Sequence, residues 1–288
     1  MSGHAAVGGA VDAGATGRPS TGTTGRPSTG TTARPHSGTH ARLVRAEARK
    51  LASTRAPRWV AASAVGMTLL ALSGAVASGG IPEDALRTTD GLRMVLGHGG
   101  LAAILALVLG VLSTASEYRH GTVVDTLLSE PRRGRVLGAK VTTLAVVGAA
   151  LGVVVAAGAW LGTVAWYGGK GIDLPAALGD ATVLRTLAGI VAWNALYAVL
   201  GVALGTIIRT PAGGIVGAIL WLYVLETAFA GLIPSVAKWL PAMSALALGN
   251  TPPTGDLLGQ AAGGVVLLGW TALAVTGAYL ATTRRDVA

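Results

Sequence analysis

The chain contains no cysteine, which excludes disulfides, thiolate metal sites and a cysteine nucleophile. Charge is also scarce. Asp, Glu, Lys and Arg make up 12% of the residues, against about 25% in an ordinary soluble domain. The shortage is local, because long stretches free of these four residues recur. Each is long enough to cross a bilayer, which takes roughly 20 apolar residues in a helix. Signatures of nucleotide chemistry and hydrolysis are missing as well. The single Gly-Lys pair, Gly169-Lys170, has no glycine five residues earlier and is followed by Gly171 rather than Ser or Thr, so no P-loop is present. Neither H-E-x-x-H nor G-x-S-x-G occurs. These absences point to an integral membrane protein without an active site of its own. No cofactor or metal is expected.

The formal charge of +9 and pI near 10.6 raise the question of nucleic acid. The basic residues flank apolar segments and form no patch interleaved with aromatics, so no nucleic-acid partner is expected. Residues 1–40 are Gly, Ser, Thr, Ala and Pro with scattered Arg. They carry an eight-residue repeat, TGRPSTGT from Thr16 and again from Thr24, then TARPHSGT from Thr32. With nothing apolar to bury, this is a disordered low-complexity tail; the alternative is a basic tether for anionic lipid or a partner. No apolar region follows the first Met, which argues against a signal peptide. Residues 41–58 form a short amphipathic basic helix. Arg42, Arg45 and Arg49 recur at helical spacing, and Leu43, Val44, Ala48 and Leu51 share another face. Such a helix lies in the headgroup layer, or serves only as a positive flank to the first span.

Residues 59–288 carry six predicted spans: 59–79, 94–114, 141–165, 186–207, 212–233 and 260–282. The Lys/Arg bias orients them. With the N-terminus inside, 17 of the 22 basic residues fall inside, and the other 5 (Arg87, Arg93, Lys170, Arg185 and Lys238) fall outside. Both termini are therefore expected in the cytoplasm. His98 and His120 then belong to opposite sides of the membrane and form no metal site. Four G-x-x-x-G pairs (Gly148/Gly152, Gly158/Gly162, Gly201/Gly205 and Gly213/Gly217) permit close helix approach; among 43 glycines they read as packing positions.

The segment from Ser116 to Lys140, between spans two and three, is the most informative. Thr122 and Asp125 have the spacing of a capping box, and Val123, Val124, Leu127 and Leu128 make one apolar face. Pro131 ends the helix, since the residue before proline avoids the helical region. A short amphipathic helix therefore projects between two spans, where it docks a partner in a groove or lies flat on the membrane. Arg132, Arg133 and Arg135 read as topology determinants rather than ligands.

Three stretches resemble the ABC-2 type transporter permease family. They are Glu47-Ala-Arg-Lys50-Leu-Ala-Ser-Thr-Arg55; Glu117-Tyr-Arg-His-Gly-Thr122 running through Pro131-Arg-Arg-Gly-Arg-Val to Lys140; and Gly205-Thr-Ile-Ile-Arg-Thr-Pro-Ala-Gly-Gly-Ile-Val, leading to a Trp-containing span with Glu226 and the turn from Pro234 to Pro241. The resemblance implies an all-α permease with an amphipathic elbow helix at 41–58 and a cytoplasmic coupling helix. It implies a bacterial plasma-membrane location and a separate cytosolic ATP-binding subunit. It also implies dimerisation with itself or a second permease, in contact with membrane lipid. The resemblance further implies that Glu117, Arg119, Thr122, Val123, Val124, Leu127 and Leu128 are the ATPase-coupling residues. The competing function is a non-transporting membrane anchor or assembly factor that recruits a cytosolic partner.

Within the spans, Glu226 is the only deep acid and Asn194 a strong polar residue in the preceding span. Counted at 1.5 Å per residue from the outer ends, they lie ~10 Å and ~12 Å deep, which makes them a candidate pair. An intramembrane acid should face protein or water. Glu226 is either a polar point on the translocation path or a buried group capping the turn after span five. Trp239, between Pro234 and Pro241, marks an interfacial or re-entrant helix.

Overall fold

The structure, a computed structural model, describes residues 37–250 and 257–284; most of the tail expected over residues 1–40 lies outside the described residues. The described residues are helical, without a strand among them. Helix α1 (Ser37–Ser53) is followed, after a break at Thr54 and Arg55, by α2 (Ala56–Ala77), with Pro57 in its first turn, where a missing N–H costs nothing. Next come α3 (Glu83–Leu86) and α4 (Thr89–Gly97), the latter capped by the Thr88 hydroxyl accepting from the Gly91 N–H at 3.1 Å. A 3₁₀ segment (His98–Ala102) joins α4 to α5 (Ala103–Arg119), and α6 (Val123–Ser129) precedes the long α7 (Arg133–Lys170). Helix α8 (Ala181–Ile208) is capped by Asp180, which accepts from the N–H groups of Thr182 and Val183. Then follow α9 (Pro211–Ile219), a π turn (Leu220–Leu225), α10 (Glu226–Leu232), α11 (Pro234–Ala237), α12 (Pro241–Leu248) and α13 (Gln260–Arg284).

Six of these helical runs are long and apolar enough to cross a membrane: 56–77, 89–119, 133–170, 181–208, 211–232 and 260–284. They match the six spans read from the sequence. The third is longer than its apolar stretch, at 38 residues. Hydropathy measures only the part that suits lipid, whereas the helix runs from just after Pro131 to Gly171, whose φ of 65° closes it with a left-handed cap.

Helix α8 is the hub, packed against α5, α7 and α13. Two of the four glycine pairs make this possible. A Cβ on Gly201 or Gly205 would run into the α5 backbone at Leu107 or Val111, and one on Gly148 or Gly152 into α8 around Ala195 or Val191. Gly162 instead receives Leu69 of α2, while Gly217 has only a side-chain contact at 3.9 Å.

Side-chain contacts define the two ends of the helix set. At one end α1, the C-terminus of α5, the N-terminus of α7 and the C-termini of α8 and α13 meet. There Arg209 stacks 5.1 Å over the Tyr118 ring, and an Arg133 Nη1–H donates to the Thr282 carbonyl at 2.8 Å. At the other end the Tyr167 hydroxyl donates to the Leu86 carbonyl, and Arg93 and Gln260 donate to the carbonyls of Asn250 and Arg185. Successive long helices thus alternate in direction. Helix α12 is short and largely buried against α13 and α8; Trp239 precedes it, in the turn after α11.

Candidate functional site

The amphipathic pattern of α1 is real, but its inner face differs from the expected one. Leu43, Val44 and Leu51 are half-buried, Ala48 is exposed, and Glu47 is buried in the middle of the face. The reason lies on α7. Lys140 falls in the buried stripe formed by Leu137, Lys140, Leu144, Gly148 and Leu151, so its ammonium enters the protein rather than water. It donates to Glu47 Oε2 at 2.7 Å and to Glu117 Oε1, at the end of α5, also at 2.7 Å. Lys50, one turn on from Glu47, donates to Glu47 Oε1 at 2.8 Å, to Glu117 Oε1 at 3.2 Å and to the Thr126 hydroxyl of α6 at 3.4 Å.

Two lysines and two glutamates thus neutralise one another while joining α1, α5, α6 and α7. Lys140 is the anchor, with only 5% of its side chain exposed, whereas Lys50 is about half-exposed. Burial by itself would raise the Glu47 carboxyl. The hydrogen-bonded Lys140 and Lys50 ammonium groups outweigh that and hold it below the usual carboxylate range. For Lys50 burial acts downward, but the carboxylates of Glu47 and Glu117 hold its ammonium above the usual lysine range.

Helix α6 forms where the sequence places it and stops before Pro131, but without the capping box. Gly121, at φ 72°, turns the chain directly out of α5. Thr122 then already has helical angles (φ −71°, ψ −8°) and makes no side-chain cap, because an N-cap hydroxyl reaches the first turn only from an extended backbone. Thr122 instead lines, with Glu47, Lys50, Glu117 and Thr126, a cleft of about 420 Å³ between α1 and α6. Val123 is half-buried; Val124 and Leu128 are exposed, Leu128 at 77%. The Leu127 and Asp125 side chains lie outside the described residues. Arg119 is exposed, next to the network but outside it. Of the candidate coupling residues, the structure therefore brings Glu117 and Thr122 to one polar cleft and leaves Val124 and Leu128 facing outward. Arg135 lies 3.9 Å from Glu130, and Arg133 holds α13 through Thr282.

Sequence reasoning missed Glu47, Lys50 and Lys140 as site residues, though all three stand in the stretches that carry the family resemblance. The available signal was the register of Lys140 with the apolar stripe of α7.

Asn194 and Glu226 are both fully buried, but they do not pair. Asn194 faces α7, where Gly152 makes room for it, and its Nδ2–H donates to the Ile190 carbonyl at 2.9 Å. Glu226 Oε2 accepts from the Ala242 N–H at 2.7 Å. It therefore caps the first turn of α12. Asn194 Oδ1 and Glu226 Oε1 have no hydrogen-bond partner. Among the described residues no cluster of His, Cys, Asp or Glu could hold a metal ion.

No protein-family model matches the sequence, and no curated protein matches it.

Proposed function

We propose that the chain is the permease subunit of an ABC-2 type exporter, coupled to a separate cytosolic ATP-binding subunit. The observation that carries this reading is the mounting of α6. A short helix with Val124 and Leu128 facing outward stands between two long apolar helices, tied through Lys50 and Thr126 to a buried network that reaches α1, α5 and α7. A push on α6 would be transmitted to three helices at once, as a coupling helix requires. In this reading α1 is the elbow helix. The end that carries α6 is cytoplasmic, because 17 of the 22 Lys and Arg residues belong to its side. Both termini then lie in the cytoplasm, the membrane is the bacterial plasma membrane, and the chain dimerises to complete a path.

The test is to purify tagged full-length chain from its native membrane and identify what accompanies it. An ABC ATP-binding subunit with ATPase activity in the recovered complex is the expected result. Leu128→Asp should weaken that association about a hundredfold, since an unpaired charge at a closed interface costs several kcal/mol, while membrane insertion stays normal. A partner lacking ATPase activity would favour the anchor or assembly function. Wild-type association of the variant would remove α6 from the interface.

A further inference from the structure

Helix α1 turns one face to the protein and another outward, and its charges divide accordingly. Glu47 is the only acid between Ser37 and Pro82, and it is buried against Lys140 and Lys50. The charge left outside is of one sign. Arg45 and Arg49, one turn apart on α1, are exposed, as are Arg55 and Arg58 where α2 begins. None of these guanidinium groups makes an ion pair among the described residues. No acid stands in the first turn of either helix. Among the described residues, then, nothing balances this face.

The level of the face follows from α2. That helix is long and apolar enough to cross a membrane. Trp59, in its first turn, is 71% exposed, and tryptophan prefers the headgroup level. Arg58 adjoins Trp59, and only Thr54 and Arg55 separate α1 from α2, so the last turns of α1 lie near the same level. Arginines gathered there match the phosphate diesters of lipid, which a guanidinium fork binds through paired N–H donors. An acidic protein would first have to displace those headgroups. We propose that Arg45, Arg49, Arg55 and Arg58 form a binding surface for anionic phospholipid headgroups. The inference requires α2 to cross a membrane but does not require the transport reading, because it concerns lipid binding by this chain alone.

The test titrates full-length chain in detergent with dioleoylphosphatidylglycerol or, as the zwitterionic control, dioleoylphosphatidylcholine, and counts bound lipid by native mass spectrometry. Phosphatidylglycerol should bind more tightly. A basic residue at an anionic surface contributes about fivefold, so Arg45→Gln with Arg49→Gln should lower that affinity about 25-fold and leave phosphatidylcholine unchanged. Removing the same charge at the other end, by Arg87→Gln with Arg185→Gln, should change it less than about threefold. A second measurement needs no variant. Phosphatidylglycerol with a diazirine on its headgroup should crosslink the unaltered chain within residues 42–59, and unlabelled phosphatidylglycerol but not phosphatidylcholine should compete. Equal affinity for the two lipids, equal losses in the two double variants, or crosslinks spread evenly over both ends would overturn the proposal and leave the face to an acidic protein or to water.

Discussion

Two groups of buried polar side chains sit in this chain, and they are satisfied to different degrees. At the basic end Glu47, Glu117 and Lys140 form a compact set that Lys50 brings to charge balance from the water side. Deeper among the long helices, Asn194 and Glu226 each leave a polar atom without a hydrogen bond. The first arrangement holds α1, α5 and α7 in one geometry, because moving any of them strands a buried charge, and α6 is attached to it through Thr126. The second joins no comparable set of helices and retains unused bonding capacity. The satisfied cluster acts as a joint between helices, and the deeper set does not.

The hardest blow to this contrast is Lys140→Ala. It leaves two buried carboxylates facing each other, and breaking a buried ion pair costs about 3–5 kcal/mol. Unfolding in detergent at neutral pH should show a loss of that order, reduced by whatever Lys50 recovers; a loss below about 1 kcal/mol would mean that the network is not the joint.

Glu226→Ala should cost less, about 1–3 kcal/mol, by leaving the Ala242 N–H of α12 without its acceptor. Glu226→Gln keeps an acceptor and should lie near wild type in the same assay. If both variants were equally damaging, the charge and not the cap would matter.

Acidification is a gentler probe of the joint. Glu47 has a lowered pKa, so its stabilisation is complete above the ordinary carboxylate pKa of about 4.3 and disappears as pH falls through the lower folded value. The melting temperature should therefore hold from pH 7 to about pH 4.5 on this account and drop below it. In Lys140→Met, which removes the main cation from a buried carboxylate, the drop should begin at higher pH. An unchanged onset would place the stabilisation elsewhere.

The smallest effect expected is a null. Asn194 and Glu226 bond to Ile190 and Ala242 rather than to each other, so a double-mutant cycle between Asn194→Ala and Glu226→Ala should be additive within about 0.5 kcal/mol. A larger coupling would indicate contact in another conformation.

Much of this molecule was legible along the chain. Six apolar stretches of sufficient length predict six helices able to span a membrane, because lipid leaves backbone groups no other partner, and six such helices are present. Pro131 marked the end of α6, and glycine at 148, 152, 201 and 205 foretold close helix contact. The failures share a cause. Depth in the membrane can be counted from the sequence, so Asn194 and Glu226 looked like a pair, but depth leaves open which way a side chain points around its helix. Packing of α8 against α7 turned Asn194 away, and the π turn before Glu226 reset the register of α10. The capping box failed for a local reason, since Gly121 delivers Thr122 already helical.

The number of apolar spans and the imbalance of basic residues are thus properties of the sequence alone, because they depend on length, hydropathy and composition read locally. The meeting of Glu47 with Lys140, 93 residues apart, belongs to the tertiary structure. It depends on the rotation of each helix about its own axis, which only the close packing around α8 decides.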